Sequence, residues 1–341
     1  MLPFLFVLAV SIQPPATVIS KQPQLAAGYG EVGVTFGAGN SIYYAASTDG
    51  GRTFAPAIKV SEVAALALGR HRGPRLAILK DAFVISAVVG GPKTGDLIVW
   101  RSIDHGKNWS HGGVVNDVAG AAREGLHTMT ADAQGRLFAA WLDLRGKGTR
   151  LYGAQSLDGG LTWLKNALIY ESPDGTICQC CHPTAHFDES GQIWTMWRNA
   201  LAGSRDFYVA SSRDGVHYEA AHKLGTGTWK LDACPMDGGE FAVDRGEVIS
   251  AWRRDDTVFL AEDGRGEKPL GKGKDVALVK GKSGIFVAWS QGEGLWILTP
   301  GAEKPSELSG HGAFVDLLAL PDGTVLAAWE ANGEIRVKRL E

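Results

Sequence analysis

The sequence predicts an all-β fold, a β-propeller of four-stranded antiparallel blades with seven blades preferred and six as the alternative. Three observations lead there. A turn motif recurs at a fixed spacing, a strand of one type recurs seven times, and the composition is rich in the residues that turns and aromatic plugs need. The 341 residues include 45 glycines and 11 tryptophans, which suits many tight hairpins better than long helices.

The turn motif reads "STDGGRTF" from Ser47, "SIDHGKNW" from Ser102, "SLDGGLTW" from Ser156 and, worn, "SSRDGVHY" from Ser211. Its aspartates, Asp49, Asp104, Asp158 and Asp214, lie 54 to 56 residues apart, a spacing that marks a solenoid, propeller or array. Each part has a structural role. The aspartate accepts bonds from amides of its own turn, the glycines take positive φ, and the closing aromatic residue packs under the loop.

The repeated strand reads "GEVGVTF" at 30, "DAFVISAVV" at 81, "GRLFAAWLD" at 135, "GQIWTMWRN" at 191, "GEVISAWRR" at 246, "SGIFVAWSQ" at 283 and "GTVLAAWEA" at 323. An apolar segment precedes each one, another follows it, and a fourth follows the turn. The seventh unit lacks this outer strand. The N-terminal "PATVISK" has the pattern to supply it, with residues 17 to 20 beside 334 to 339, which would close the ring without an exposed edge.

The opening "MLPFLFVLAVSI" is apolar but too short to span a bilayer, and Ala9 and Ser11 are small residues where a signal peptidase could cut. Residues 1–11 are expected to be a signal peptide, with a buried terminal strand as the other reading. Residues 12–341 are expected to form a single propeller domain in a secreted or periplasmic protein. With 34 basic against 37 acidic residues and no basic run, a nucleic-acid partner is not expected. Neither is a membrane span. A monomer is expected, with a small molecule, a glycan or a metal ion at the channel mouth.

The turn motif resembles the Asp-box, or BNR, repeat of the sialidase superfamily and its non-sialidase relatives, and the resemblance covers essentially the whole chain. It implies a propeller scaffold and, as the alternative function, a glycoside hydrolase of exo-sialidase type. Sialidases of that family have six blades, an Arg-Ile-Pro motif, an arginine cluster for the substrate carboxylate and a late nucleophilic tyrosine. Here the nearest tripeptide is "RGP" from Arg72, and the last tyrosine is Tyr218. True sialidase chemistry is therefore not expected, and no catalytic residues are assigned.

In a blade of this kind the turns between first and second strands, and between third and fourth, share one face. The crossings to the next blade share the other. The crossings "SEVAALALGRHRGP", "NDVAGAAREGLH", "ESPDGTICQCCHP" and "GTGTWKLDACPMD" are long, as loops that bind ligands on a rigid scaffold often are. They bring three of the four cysteines, Cys178, Cys180 and Cys181, together with His182, into one loop, and Cys234 with Met236 into the next. His71, His127 and His311 precede other innermost strands. Thiolate, imidazole and thioether suit copper or zinc better than hard cations. Two further readings stay open: disulfides, for example from Cys234 to one of the other three, and a redox or reactive thiol. Arg72, Arg123, Glu124, Asp143, Arg198 and Asp237 are weaker candidates for ligand contacts on the same face.

Overall fold

The computed structural model describes residues 9–15, 18–262 and 265–340. Among them, 28 strands form seven four-stranded antiparallel sheets. The innermost strands are Ser20–Gly28, Arg75–Ile78, His127–Ala131, Thr184–Phe187, Gly239–Asp244, Lys274–Gly281 and Ala313–Ala319. Each touches the next, and the last touches the first, so the sheets close into a seven-bladed ring around one channel. No helix among the described residues is long and apolar enough to cross a membrane.

The second strand of each blade is sandwiched between neighbouring blades, which removes the usual in-out alternation. Leu137–Asp143 is buried at all seven positions. Tryptophans at equivalent positions, Trp141, Trp197, Trp252, Trp289 and Trp329, are buried between the sheets. Burying a side chain of this size contributes about 3 kcal/mol or more, so the repeated Ala-Trp and Met-Trp pairs are the main inter-blade cement.

The N-terminal segment completes the seventh blade, through a different stretch from the one the sequence suggested. Val10–Ile12 pairs with Glu334–Leu340, in the register Val10 to Val337 and Ile12 to Ile335. Thr17 lies outside the described residues, Val18 and Ile19 form no strand, and Ser20 opens the first blade. The alternation of Val10 and Ile12 was concealed within an apolar run that also reads as a leader. Cutting after Ala9 would keep this strand, whereas cutting after Ser11 would remove two of its three residues.

The serine-aspartate turns are hydrogen-bonded knots. Asp158 Oδ1 accepts the amides of Leu161 and Thr162 at 3.1 and 2.9 Å, Oδ2 accepts the Thr162 hydroxyl at 2.6 Å, and Ser156 Oγ accepts the Gly160 amide at 2.8 Å. Gly160 sits at φ +82°, where a side chain would be strained. Hydrogen bonds from the hydroxyl and amide of Thr53 hold Asp49 well below the usual carboxylate range. These turns share a face with the first hairpin turns, as the 2.6 Å contact between His105 Nδ1 and Glu31 Oε1 shows. Asp158→Ala is therefore expected to cost about 1 kcal/mol of stability and leave ligand binding on the opposite face unchanged. Denaturant unfolding beside a metal titration checks this, and a loss of binding at unchanged stability would contradict the structural role.

Candidate functional site

The channel holds a cavity of about 790 Å³ lined by the innermost strands. Its wall is polar. Asp316 Oδ2 accepts the Leu25 amide at 2.7 Å, Gln24 Oε1 accepts the Leu76 amide at 2.6 Å, and His186 Nε2 lies 2.9 Å from Glu240 Oε1. Burial pushes the Asp316 carboxyl up to about 7, against the pull of the Leu25 amide and Arg75.

At the mouth, the backbone is bent to aim side chains inward. Three innermost strands lose register at their starts, between Lys21 and Gln24, Lys274 and Ala277, and Ala313 and Asp316. Gln22, Asp275 and Phe314 sit at these irregularities with φ of 56°, 54° and 52°, and His71 and Met236 in the crossings have φ of 66° and 55°. A non-glycine residue in this region costs on the order of 1 kcal/mol, and such strain concentrates at functional sites. The bulges turn residues toward the axis that a regular strand would point elsewhere.

Two groups of donor atoms converge on this face. The first is all sulfur. The Cys178 amide donates to Arg198 O at 3.1 Å and fixes the loop to the end of the fourth blade's second strand. Cys178 Sγ lies 3.3 Å from Cys181 Sγ and 3.7 Å from Cys180 Sγ, and the three sulfurs all fall within 4.8 Å of one another. Cys234, exposed in the next crossing, is among the groups that raise the Cys180 thiol. The four cysteines are not bonded to one another in this structure, and Cys234 is exposed.

The sulfurs raise one another's pKa. The Cys180 contact and burial take Cys178 to about 11, although Cys181 opposes them. At Cys180 the Cys178 hydrogen bond acts downward, but Cys181, burial and Cys234 outweigh it and take the thiol to about 12. Burial takes Cys181 to about 12, with Cys178 adding to it. Thiols so far above neutrality are poor nucleophiles, which weighs against the reactive-thiol reading. A soft cation reverses this balance, because a coordinated thiol is deprotonated.

The second group is nitrogen and oxygen. His71 Nε2 lies 2.8 Å from Asp275 Oδ1, and His71, Asp237 and Asp275 place donor atoms within 4.8 Å of one another. The His182 ring stacks on His71 at 4.2 Å between centroids, and its Nδ1 is buried with no hydrogen-bond partner. Burial, then His71, Arg75 and Arg198, hold His182 well below its usual range, so it is neutral at pH 7. Asp237 is 1% exposed. Burial and then Asp275 raise its carboxyl to about 6. Arg253 Nε lies 2.9 Å from Asp237 Oδ2, at an angle that makes an ion pair but not a hydrogen bond.

The remaining sequence candidates are placed elsewhere. Arg198 is buried, and its guanidinium donates to the carbonyls of Asp237, Arg205 and Arg253 at 3.3, 2.7 and 3.0 Å. It holds the fourth and fifth blades together. Arg72 bonds the Glu124 carbonyl, and Glu124 Oε2 is 3.8 Å away. Arg123 donates to Gly120 O and Leu144 O. Asp143 accepts from Trp141 and Arg145. His127 is buried against Ser86 Oγ at 3.0 Å, and His311 is exposed, 3.7 Å from Glu293. Met236 Sδ accepts from Arg70 at 3.0 Å. Asp275 was missed by sequence reasoning. It heads the "DVALV" strand as Asp237 heads the one before, and that position was the available signal.

No family model matches the chain, and no curated protein matches it in sequence. In structure it is similar to an alpha-L-arabinanase of Penicillium chrysogenum, at 16% identity over 98% of each chain and a TM-score of 0.59. It is similar to the NanB sialidase of Streptococcus pneumoniae, at 10% identity over all of this chain and 71% of that one, with a TM-score of 0.57. A protein of unknown function from Dyadobacter fermentans matches at 17% identity over 97% of this chain and 98% of that chain, with a TM-score of 0.54. The chain thus shares the propeller fold of these proteins, and its chemistry has to be argued from its own side chains.

Proposed function

We propose that this is an exported metal-binding propeller that takes one soft ion, Cu(I) or Zn(II), on Cys178, Cys180 and Cys181, with Cys234 as the fourth sulfur. The supporting observation is the sulfur spacing of 3.3 and 3.7 Å without a disulfide. Thiolates about 2.3 Å from a tetrahedral ion lie about 3.8 Å apart, so the loop needs only small adjustments to bind. Two buried thiols and a half-buried one this close gain little from one another, whereas a soft cation turns each into a ligand. Export is part of the reading, with processing after Ala9 so that the closing strand survives. N-terminal sequencing of the mature chain would find Val10 first, and a start at Ile12 would contradict that site.

The test is metal uptake by the reduced full chain, purified without chelator or histidine tag. One equivalent of Cu(I) or Zn(II) is expected to bind stoichiometrically to the wild type. Cys180→Ser and Cys181→Ser are each expected to lose affinity by at least the roughly 100-fold that even outer-shell changes can cost. Equal and weak uptake by all three proteins would overturn the proposal. A sialidase-type reaction is the weaker reading, because Arg72, Arg123 and Arg198 spend their donors on main-chain carbonyls.

A further inference from the structure

The sequence grouped cysteines, histidines and Met236 as one mixed cluster, but the fold sorts their donors by hardness. Asp237 and Asp275 are 1% and 5% exposed, and the Asp275 amide donates to Asp237 Oδ1 at 3.3 Å. Two acids buried this close need a compensating charge. Arg253 supplies part of it, but its side chain is fixed elsewhere too, through the Pro235 carbonyl at 3.0 Å and the face of Trp229. Asp237 Oδ2 accepts no hydrogen bond, although Arg253 Nε pairs with it at 2.9 Å, and buried His182 Nδ1 has no hydrogen-bond partner. Buried polar atoms without partners are uncommon and call for an unseen one.

The backbone points the same way. His71 and Asp275 both hold left-handed φ, and Asp275 does so inside a bulge. The effect is to bring an imidazole and a carboxylate to 2.8 Å. Donors about 2.1 Å from a common ion stand about 3.0 to 3.4 Å apart, so these two are already close to shared-ligand separation.

We propose that His71, Asp237 and Asp275 form a second metal site, with the His182 ring stacked on His71, for a divalent first-row transition ion such as Zn(II), Mn(II) or Co(II), separate from the sulfur cluster. Imidazole with carboxylate suits these ions, whereas an all-thiolate set selects softer ones. Arg253 acts as a positioning residue that holds Asp237 through Oδ2, as outer-shell partners orient metal carboxylates. Two adjacent sites of different hardness would let one propeller mouth hold two different metals.

Cobalt(II) titration of the full, reduced chain separates the sites by spectrum, since only sulfur ligation gives a thiolate-to-metal charge-transfer band. The wild type is expected to bind two equivalents. Cys178→Ser/Cys181→Ser should lose the charge-transfer band and keep one equivalent with ligand-field bands alone. His71→Gln/Asp275→Asn should lose that equivalent and keep the band. Because the latter variant could misfold, the cysteine variant is also examined by NMR, where cobalt should produce strongly shifted imidazole N–H signals. Survival of the sulfur-free equivalent in His71→Gln/Asp275→Asn would overturn the inference, as would absence of shifted imidazole signals in the cysteine variant. Failure of the charge-transfer band in the wild type would instead count against the sulfur site alone.

Discussion

Replacing Arg198 by methionine is expected to lower the thermal midpoint by about 4 to 7 °C, the largest effect of any single substitution considered. The side chain is 1% exposed and donates to three carbonyls from two blades. Its guanidinium also lies over Phe207 at 4.2 Å and Trp229 at 5.1 Å. Methionine keeps the volume and loses every donor. Three buried acceptors are stranded, and Asp237 loses a nearby positive charge, for a total of about 3 to 5 kcal/mol. Arg198→Lys should be intermediate, because a single ammonium cannot reach three acceptors fixed in a fork. Calorimetry of the three proteins checks this, and a methionine variant that melts with the wild type would show that the carbonyls find other donors.

The second large effect is a pH dependence from His127. Burial, then Arg75, pushes this imidazole down to about 3. The unfolded chain takes up the proton below about pH 6.5, but the folded chain does not until about pH 3, so stability falls as pH drops through that window. His127 should cost about 2.5 kcal/mol between pH 6 and pH 4. Asp237 and Asp316, whose folded pKa values are raised, act in the opposite sense over the same range. The measurement is therefore a difference: wild type minus His127→Gln, by denaturant unfolding at several pH values. A difference that does not change between pH 6 and pH 4 would mean that the ring is reached by solvent.

The blades were legible because their signals are local and repeated. A run such as "GRLFAAWLD" carries its own burial pattern, and a serine-aspartate turn closes within eight residues. The face of the site was legible too, from the length of the crossings. What the sequence hid were contacts made through the third dimension. Arg198 reads in the sequence as a candidate ligand contact, whereas the carbonyl of Arg253, 55 residues away, occupies it. The bulge that turns Asp275 inward has no sequence marker, since its left-handed residue is an aspartate rather than a glycine. His127 and His311 precede innermost strands just as His182 does. Only packing separates a core imidazole and a rim imidazole from one facing the channel.

The pairing of Val10 with Val337 bears on how the molecule is made. Val10–Ile12 finds its partner only when Glu334–Leu340, more than 300 residues later, has been made, so the ring cannot shut before then. Until then Val10–Ile12 is left without a partner and able to pair with another chain. The entropic cost of bringing ends so far apart together grows only slowly with length, so closure is affordable but late. A prematurely terminated product would keep its N-terminal strand unpaired and be exposed to proteases. The join thus acts as an inspection step that passes only molecules in which Glu334–Leu340 has been made.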